Sequence, residues 1–218
     1  VAVQHLYRPS GQASGDYYDF FPVGDGVLRA VVADVSGHGA RAAFIMAIVR
    51  TLVRLSRHRY MGIGETMGLV NSHLLQIIGQ ENDFVTLFAA DIDFGAQKME
   101  YVNAGHCPGL LLRRGQAEKL SPCAPLLGFF DLDFRVQEVD YPDRAQLFLY
   151  TDGFYEWEKT PGEYMDPEEF WNLAVEEMRR EGDFLEGLMQ RLSAATPERP
   201  RFRDDLTALW VRPETSGV

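Results

Sequence analysis

Hydrophobic and polar positions along the chain alternate between two rhythms. "DYYDFFPVGDGVLRAVVAD" holds two β-prone runs joined by "VGDG", whose glycines and aspartate suit a tight turn, so an antiparallel hairpin is predicted. Past "SGHGA" the period lengthens. Ala43, Ile45, Met46, Ile48, Val49, Leu52, Val53 and Leu55 fall largely on one helical face. A second helix is predicted over about 66–78, with Met67, Val70, Leu74, Leu75 and Ile78 on one side and Gly79 as its stop.

Strand-like runs then follow in "FVTLFAADI", "KMEYVNA", "GLLLRR", "AEKL", "FRVQEVD" and "AQLFLYT", separated by the turn-rich "DFGAQ", "GHCP", "RRGQ" and "YPDR". Connections this short make the sheets antiparallel. The pattern is helical again over 166–192, where "DPEEFWNLAVEEMRR" opens on an Asp cap with Pro at the first position and "DFLEGLMQRL" follows. "LTALWV" is the final strand. With no internal repeat or low-complexity linker, the expectation is one α+β domain over 1–212 and a loose tail over 213–218. Its core is mostly antiparallel β, with two helices inserted early and two late.

Composition narrows the partners. The 32 Asp+Glu against 21 Lys+Arg give a formal charge of −11, which repels a nucleic-acid backbone or an anionic membrane and favours a protein or a cation. The longest apolar run, from Ala42 to Val49, is far short of the ~20 residues of a membrane span. The N-terminus has no basic region followed by a secretory core, so a soluble, cytoplasmic protein is expected. Cys107 and Cys123 are the only cysteines, and their spacing fits neither a disulfide framework, a zinc site nor a Cys/His nucleophile.

Carboxylates recur at strand ends. Asp16 leads the first hairpin strand in "SGDYYD", Asp34 ends the second, Asp152 closes "LFLYTDG", and Asp204 and Asp205 lead "RDDLTALWV". Each taken alone is an ordinary turn residue. Gathered at one end of the sheets they would repel one another and raise their pKa values unless a cation sat between them. Such oxygens suit magnesium or manganese. Gly37, Gly39 and Gly153 let the backbone approach an ion closely, which makes the Val35 carbonyl a candidate ligand.

In order, "SGDYYDF", "VVADVSGHGARAAF", "FVTLFAADID", "YVNAGHCPGLLLR", "PLLGFF", "LFLYTDGFYEW" and "RDDLTALWV" resemble the successive motifs of the bacterial 2C-type metal-dependent serine/threonine protein phosphatases of stress-response and sporulation control. The resemblance implies a four-layer α-β-β-α sandwich of two antiparallel sheets flanked by helices, and a centre of two Mn2+ or Mg2+ ions. By position, Asp34 would bridge both ions, the Val35 carbonyl would bind one, and Asp152 and Asp204 would hold the other, with Asp16 serving directly or through water. Asp205 stands where the wider family often has Asn and is assigned a supporting place. Glu156 matches an acidic position for a further, weaker metal or is a solvated glutamate. His38 is a proton shuttle to the leaving alkoxide or a turn histidine bonded to backbone. His106 is read as structural.

The activity implied is hydrolysis of phosphoserine or phosphothreonine by a metal-activated water, without a phosphoenzyme. The phosphoprotein would be an anti-sigma-factor antagonist, and the chain would be the output domain of a response regulator, preceded by a receiver or sensory domain. Two motifs depart from the common pattern, Ser14-Gly15-Asp16 for Gly-Gly-Asp and Cys107-Pro108-Gly109 for Asn-Pro-Pro after "AGH". No arginine makes an evident phosphate clamp, Arg8 being the one close enough to consider. A phosphatase-fold adaptor that binds a sigma factor or its regulator is the rival reading, disfavoured because Asp16, Asp34, Asp152 and Asp204 are all present. A metal-dependent phosphodiesterase or nuclease lacks its basic groove.

Overall fold

A computed structural model describes residues 1–11, 13–37, 39–59, 61–78, 83–160, 162–194 and 204–214. The hairpin forms as β2 (Tyr17–Gly24) and β3 (Val27–Val35), with Gly26 turning at φ 74°. Strands β4 (Val85–Asp93), β5 (Lys98–Ala104) and β8 (Gln137–Asp140) complete one antiparallel sheet in the order β2-β3-β4-β5-β8. The other sheet runs β1-β12-β9-β6-β7, from β1 (Ala2–Arg8), β6 (Gly109–Arg113), β7 (Gln116–Leu120), β9 (Gln146–Tyr150) and β12 (Leu206–Arg212). A small hairpin, β10 (Glu158–Thr160) with β11 (Glu163–Tyr164), stands apart.

Helices α1 (Ala40–His58) and α2 (Ile63–Ile78) cover the outer face of the first sheet, and α3 (Pro167–Met178) and α4 (Phe184–Ala194) that of the second. The expected four-layer α+β sandwich of two antiparallel sheets is therefore what forms. Asp166 caps α3 by accepting from the Glu168 and Glu169 amides, at 2.8 and 3.1 Å, as its "DP" start predicts. Gly79 and the tail over 215–218 lie outside the described residues. No helix among those described is long and apolar enough to cross a membrane.

Strand parity decides which side chains meet. Leu28, Ala30 and Val32 of β3 pack between the sheets, whereas Val31, Ala33 and Val35 face α1 and α2. Asp34 therefore projects into the layer between the sheets, at the end of its strand. In β2, Tyr17 and Phe21 face the helices while Tyr18 and Phe20 take the inner side, which gives the preceding Asp16 the same inward direction. Two acids of one sheet thus point toward the ends of β9 and β12 in the other.

Two readings needed adjustment. The hairpin strand after Asp16 is not the first of the fold: β1 precedes it, and "AVQHLYR" gives little local signal because it is half-buried at a sheet edge and lacks strong alternation. It pairs with β12 from Ala2↔Arg212 to Arg8↔Leu206, so Asp16 opens the second strand of the fold. β8 keeps only the last residues of "FRVQEVD", since Phe134 packs instead into the cluster beneath α1 and α2.

Candidate metal centre

The strand ends converge on a cleft of about 330 Å³, lined by Asp34, Val35, Asp152, Asp204 and Asp205 among others. Asp34 is the penultimate residue of β3. Asp152 begins the 3-10 turn Asp152–Phe154 two residues beyond β9, and Asp204 and Asp205 precede β12. Asp16 sits behind the cleft, buried, with its Oδ2 accepting from Thr151 Oγ1 at 2.9 Å. Asp152, Glu156 and Asp204 each bring a carboxylate oxygen within 4.8 Å of the others.

Two glycines make this approach possible. A Cβ on Gly15 would lie 3.0 Å from the Val35 carbonyl oxygen and 3.5 Å from Asp34 Oδ1. At Gly153 a Cβ would stand 2.0 Å from the Asp205 carbonyl oxygen, inside any tolerable contact. Gly153→Ala should force the Asp152 turn away from the start of β12, at a cost of about 1–3 kcal/mol. Thermal unfolding of the metal-free variant and its Mn2+ titration should both show loss; an unchanged Mn2+ affinity would show that the Asp152 to Asp204 spacing does not matter.

Supporting groups that the sequence did not announce hold the acids. Ser10, just beyond β1, donates its amide and its hydroxyl to Asp205 Oδ1 at 2.6 and 2.8 Å, so that carboxylate is anchored to the far sheet edge. Thr151 accepts the Thr207 amide at 3.1 Å and donates its own to the Thr207 carbonyl at 3.0 Å, locking β9 to β12 beneath the site. The carbonyl of Tyr150 can only accept, so His106 Nε2, 3.1 Å away, carries the proton and Nδ1 accepts from Thr86 Oγ1 at 2.8 Å. Burial pushes the imidazole down to about 4, so it is neutral at neutral pH, in the structural place read for it. Hydroxyls are common everywhere, so only the assembled strands reveal these as supports.

The electrostatics are those of anions without a counter-charge. Burial pushes Asp34 up to about 9, with Asp16 and Asp152 adding repulsion. Asp16 rises to about 7, by burial and then the Asp205 charge, and Asp152 to about 6, by burial and then Glu156 and Asp204. Among the described residues no Lys or Arg lines the cleft, and Arg8 lies exposed at the end of β1. His38 lies outside the described residues. Carboxylates and Val35 lining a cleft that no Lys or Arg enters among the described residues, beside a Gly15 position that a Cβ would fill, fit a hard divalent cation.

The two-sheet sandwich defines the fold class, that of the 2C-type phosphatase domains. Within that class the family is specific. The stage II sporulation protein E (SpoIIE) model matches residues 24–214, and the chain belongs to that family. It is 28% identical over 158 residues to the phosphoserine phosphatase RsbP of Bacillus subtilis (strain 168), an alignment covering 70% of this chain and 39% of RsbP. The RsbU and RsbW domains of a Mycobacterium tuberculosis protein superpose with a TM-score of 0.79 at 26% identity, covering 96% of this chain and 58% of that one. The SiaA 2C-type domain of Pseudomonas aeruginosa superposes at 0.84 with 18% identity, over 97% of this chain and 86% of the other, a likeness of fold. The chain spans well under half the length of the curated relatives it matches.

Proposed function

We propose that the chain hydrolyses phosphoserine or phosphothreonine on a regulatory phosphoprotein of the anti-sigma-factor-antagonist kind, and that a receiver or sensory domain governs it in the longer protein. The observation that carries the reading is the convergence of Asp34, Val35, Asp152 and Asp204 on one cleft that no Lys or Arg lines among the described residues, with Asp16 behind. These residues would hold two Mn2+ or Mg2+ ions, and Glu156 lies where it would assist Asp152 and Asp204 with a further one. When bound, such a pair of ions supplies a nucleophilic water at neutral pH and neutralises the phosphoryl oxygens under attack.

The chain's own groups set the conditions. Asp205, tied to Ser10, and Asp16, tied to Thr151, fix the cleft's back wall. Cys107, the thiol lining the cleft, is pushed up to about 12 by burial and lies 3.1 Å from the Tyr155 hydroxyl, so it stays protonated. No thiolate attack is available from it. The P–O bond to the serine oxygen breaks as water's oxygen joins phosphorus, giving inorganic phosphate and the free hydroxyl.

Phosphate release from a phosphoserine peptide and from p-nitrophenyl phosphate should require Mn2+ or Mg2+ and stop with excess EDTA. A folded chain that binds Mn2+ yet releases no phosphate from either would exclude the hydrolase, and one that also fails to bind Mn2+ would favour the adaptor.

A further inference from the structure

We propose that Phe129 and Phe130 form a docking rim beside the cleft for an apolar side chain that flanks the phosphoserine of the substrate protein. The inference rests on the phosphoserine hydrolysis proposed above. Phe84 lines the cleft, fixed by reciprocal bonds with Ser36: the Ser36 amide donates to the Phe84 carbonyl at 2.9 Å and the Phe84 amide to Ser36 Oγ at 2.8 Å. The Phe129 ring centroid lies 6.3 Å from that of Phe84, and Phe130 lies 6.2 Å beyond Phe129. An apolar track therefore runs out of the cleft onto the surface.

The outer two rings are 49% and 58% exposed, on a segment that is held firmly. Leu127 exchanges both backbone hydrogen bonds with Val85 at the start of β4, at 2.8 and 3.2 Å. Asn71, buried in α2, accepts the Gly128 amide at 2.9 Å and donates to the Phe130 carbonyl at 2.8 Å. These four bonds hold two large apolar side chains that stay about half exposed among the described residues. Adjacent exposed aromatics on a fixed support are the usual composition of a contact surface.

The occupant follows from position. A phosphoprotein whose phosphoserine reaches the bottom of the cleft must lay its neighbouring residues against the mouth. Asp204 at that mouth and the neighbouring Glu156 are exposed acids. The aromatic side is where an apolar neighbour gains by burial, and in an extended segment the second residue from the phosphoserine points to the same face as the phosphoserine, about 6.6 Å along the chain.

The test uses two phosphoserine peptides that differ only at the second residue on each side, Leu in one and Ser in the other, with Mn2+ present. The native chain should prefer the Leu peptide by about tenfold in kcat/KM, mostly through KM, as burying a Leu side chain predicts. In the Phe129→Ser, Phe130→Ser double variant the ratio should fall below about twofold, while Phe129→Leu, Phe130→Leu should retain most of it. Equal rates on both peptides in the native chain, or a preference that survives the Ser variant, would overturn the rim. So would sedimentation showing that the Ser variant dissociates a native dimer without altering the preference, since the rings would then serve a second copy. A native chain that hydrolyses neither these peptides nor p-nitrophenyl phosphate would overturn the hydrolase reading and the rim with it, whereas hydrolysis without preference removes the rim alone.

Discussion

Replacing Asp34 with Asn should lower metal-dependent phosphate release by about a thousandfold or more while making the metal-free protein more stable at alkaline pH. The first half follows from the several kcal/mol that metal ions contribute to stabilising a phosphoryl transition state, at about 1.4 kcal/mol per tenfold in rate. Asp34 is the acid at the centre of the cleft, influenced by Asp16, Asp152 and Asp204 at once, so its loss disturbs the whole donor set. The second half follows from its proton. In the folded chain Asp34 is raised to about 9 and Asp16 to about 7, against ordinary carboxylate values near 4 when unfolded. The metal-free fold thus binds more protons than the unfolded chain through this window. Stability present below the unfolded pKa is lost as pH rises through the folded values, so the metal-free melting temperature should fall between pH 6 and 9.

Asn carries no charge to bury, so the fall in Asp34→Asn should be shallower. Bound Mn2+ should reverse it in the native chain, because ionised acids are then the favoured form. Melting curves at pH 6, 7.5 and 9, with EDTA or Mn2+, read both effects. A variant that loses activity and stability together at every pH would mean that Asp34 merely supports the fold.

The sequence disclosed this acid because it breaks a rule of burial. A run such as "VLRAVVADV" should not hold a half-buried carboxylate near its end unless something outside the strand needs it, and the period-two parity that buries its neighbours also fixes where it points. Asp16, Asp152 and Asp204 drew notice as further carboxylates at strand ends, and the helices were legible because their long apolar stripes are local facts. What local pattern could not carry is pairing at a distance. Ser10 meets Asp205 across 195 residues of sequence, and Thr151 meets Asp16 across 135. Neither hydroxyl differs in sequence from a solvated one. β1 escaped notice because an edge strand is half wet and needs no strict alternation. Phe129 and Phe130 read as part of a family motif, and only the structure shows that they stay outside the core.

Arg29 belongs with these hidden pairings, and Arg29→Met should destabilise the chain by about 3–5 kcal/mol. An arginine inside a buried strand looks like an error of patterning. It is fully buried, yet each of its five N–H donors is matched. Nε and Nη2 grip Asp91 bidentately at 2.6 Å each, Nη1 donates to Ser56 and Thr66 hydroxyls at 2.8 and 2.7 Å, and Nη2 reaches the Met61 carbonyl at 3.1 Å. Arg29 stands opposite Asp91 in the β3–β4 register, while Ser56 lies near the end of α1 and Thr66 near the start of α2. One side chain therefore fastens both helices to the sheet whose far end carries Asp34.

Methionine fills much of the volume but leaves the Asp91 carboxylate and the Met61 carbonyl without their donor, and that orphaning is the main cost. For a chain of this size the loss amounts to a fall in melting temperature on the order of 10 °C. Lysine should not restore it, since a single ammonium cannot reproduce the planar fork. Asp91→Leu added to Arg29→Met should recover a large part, because the charge left behind is then removed as well. Urea unfolding of the three variants measures this directly. If Arg29→Met costs less than about 1 kcal/mol, or the second substitution recovers nothing, the network is not what holds α1 and α2 to the sheet.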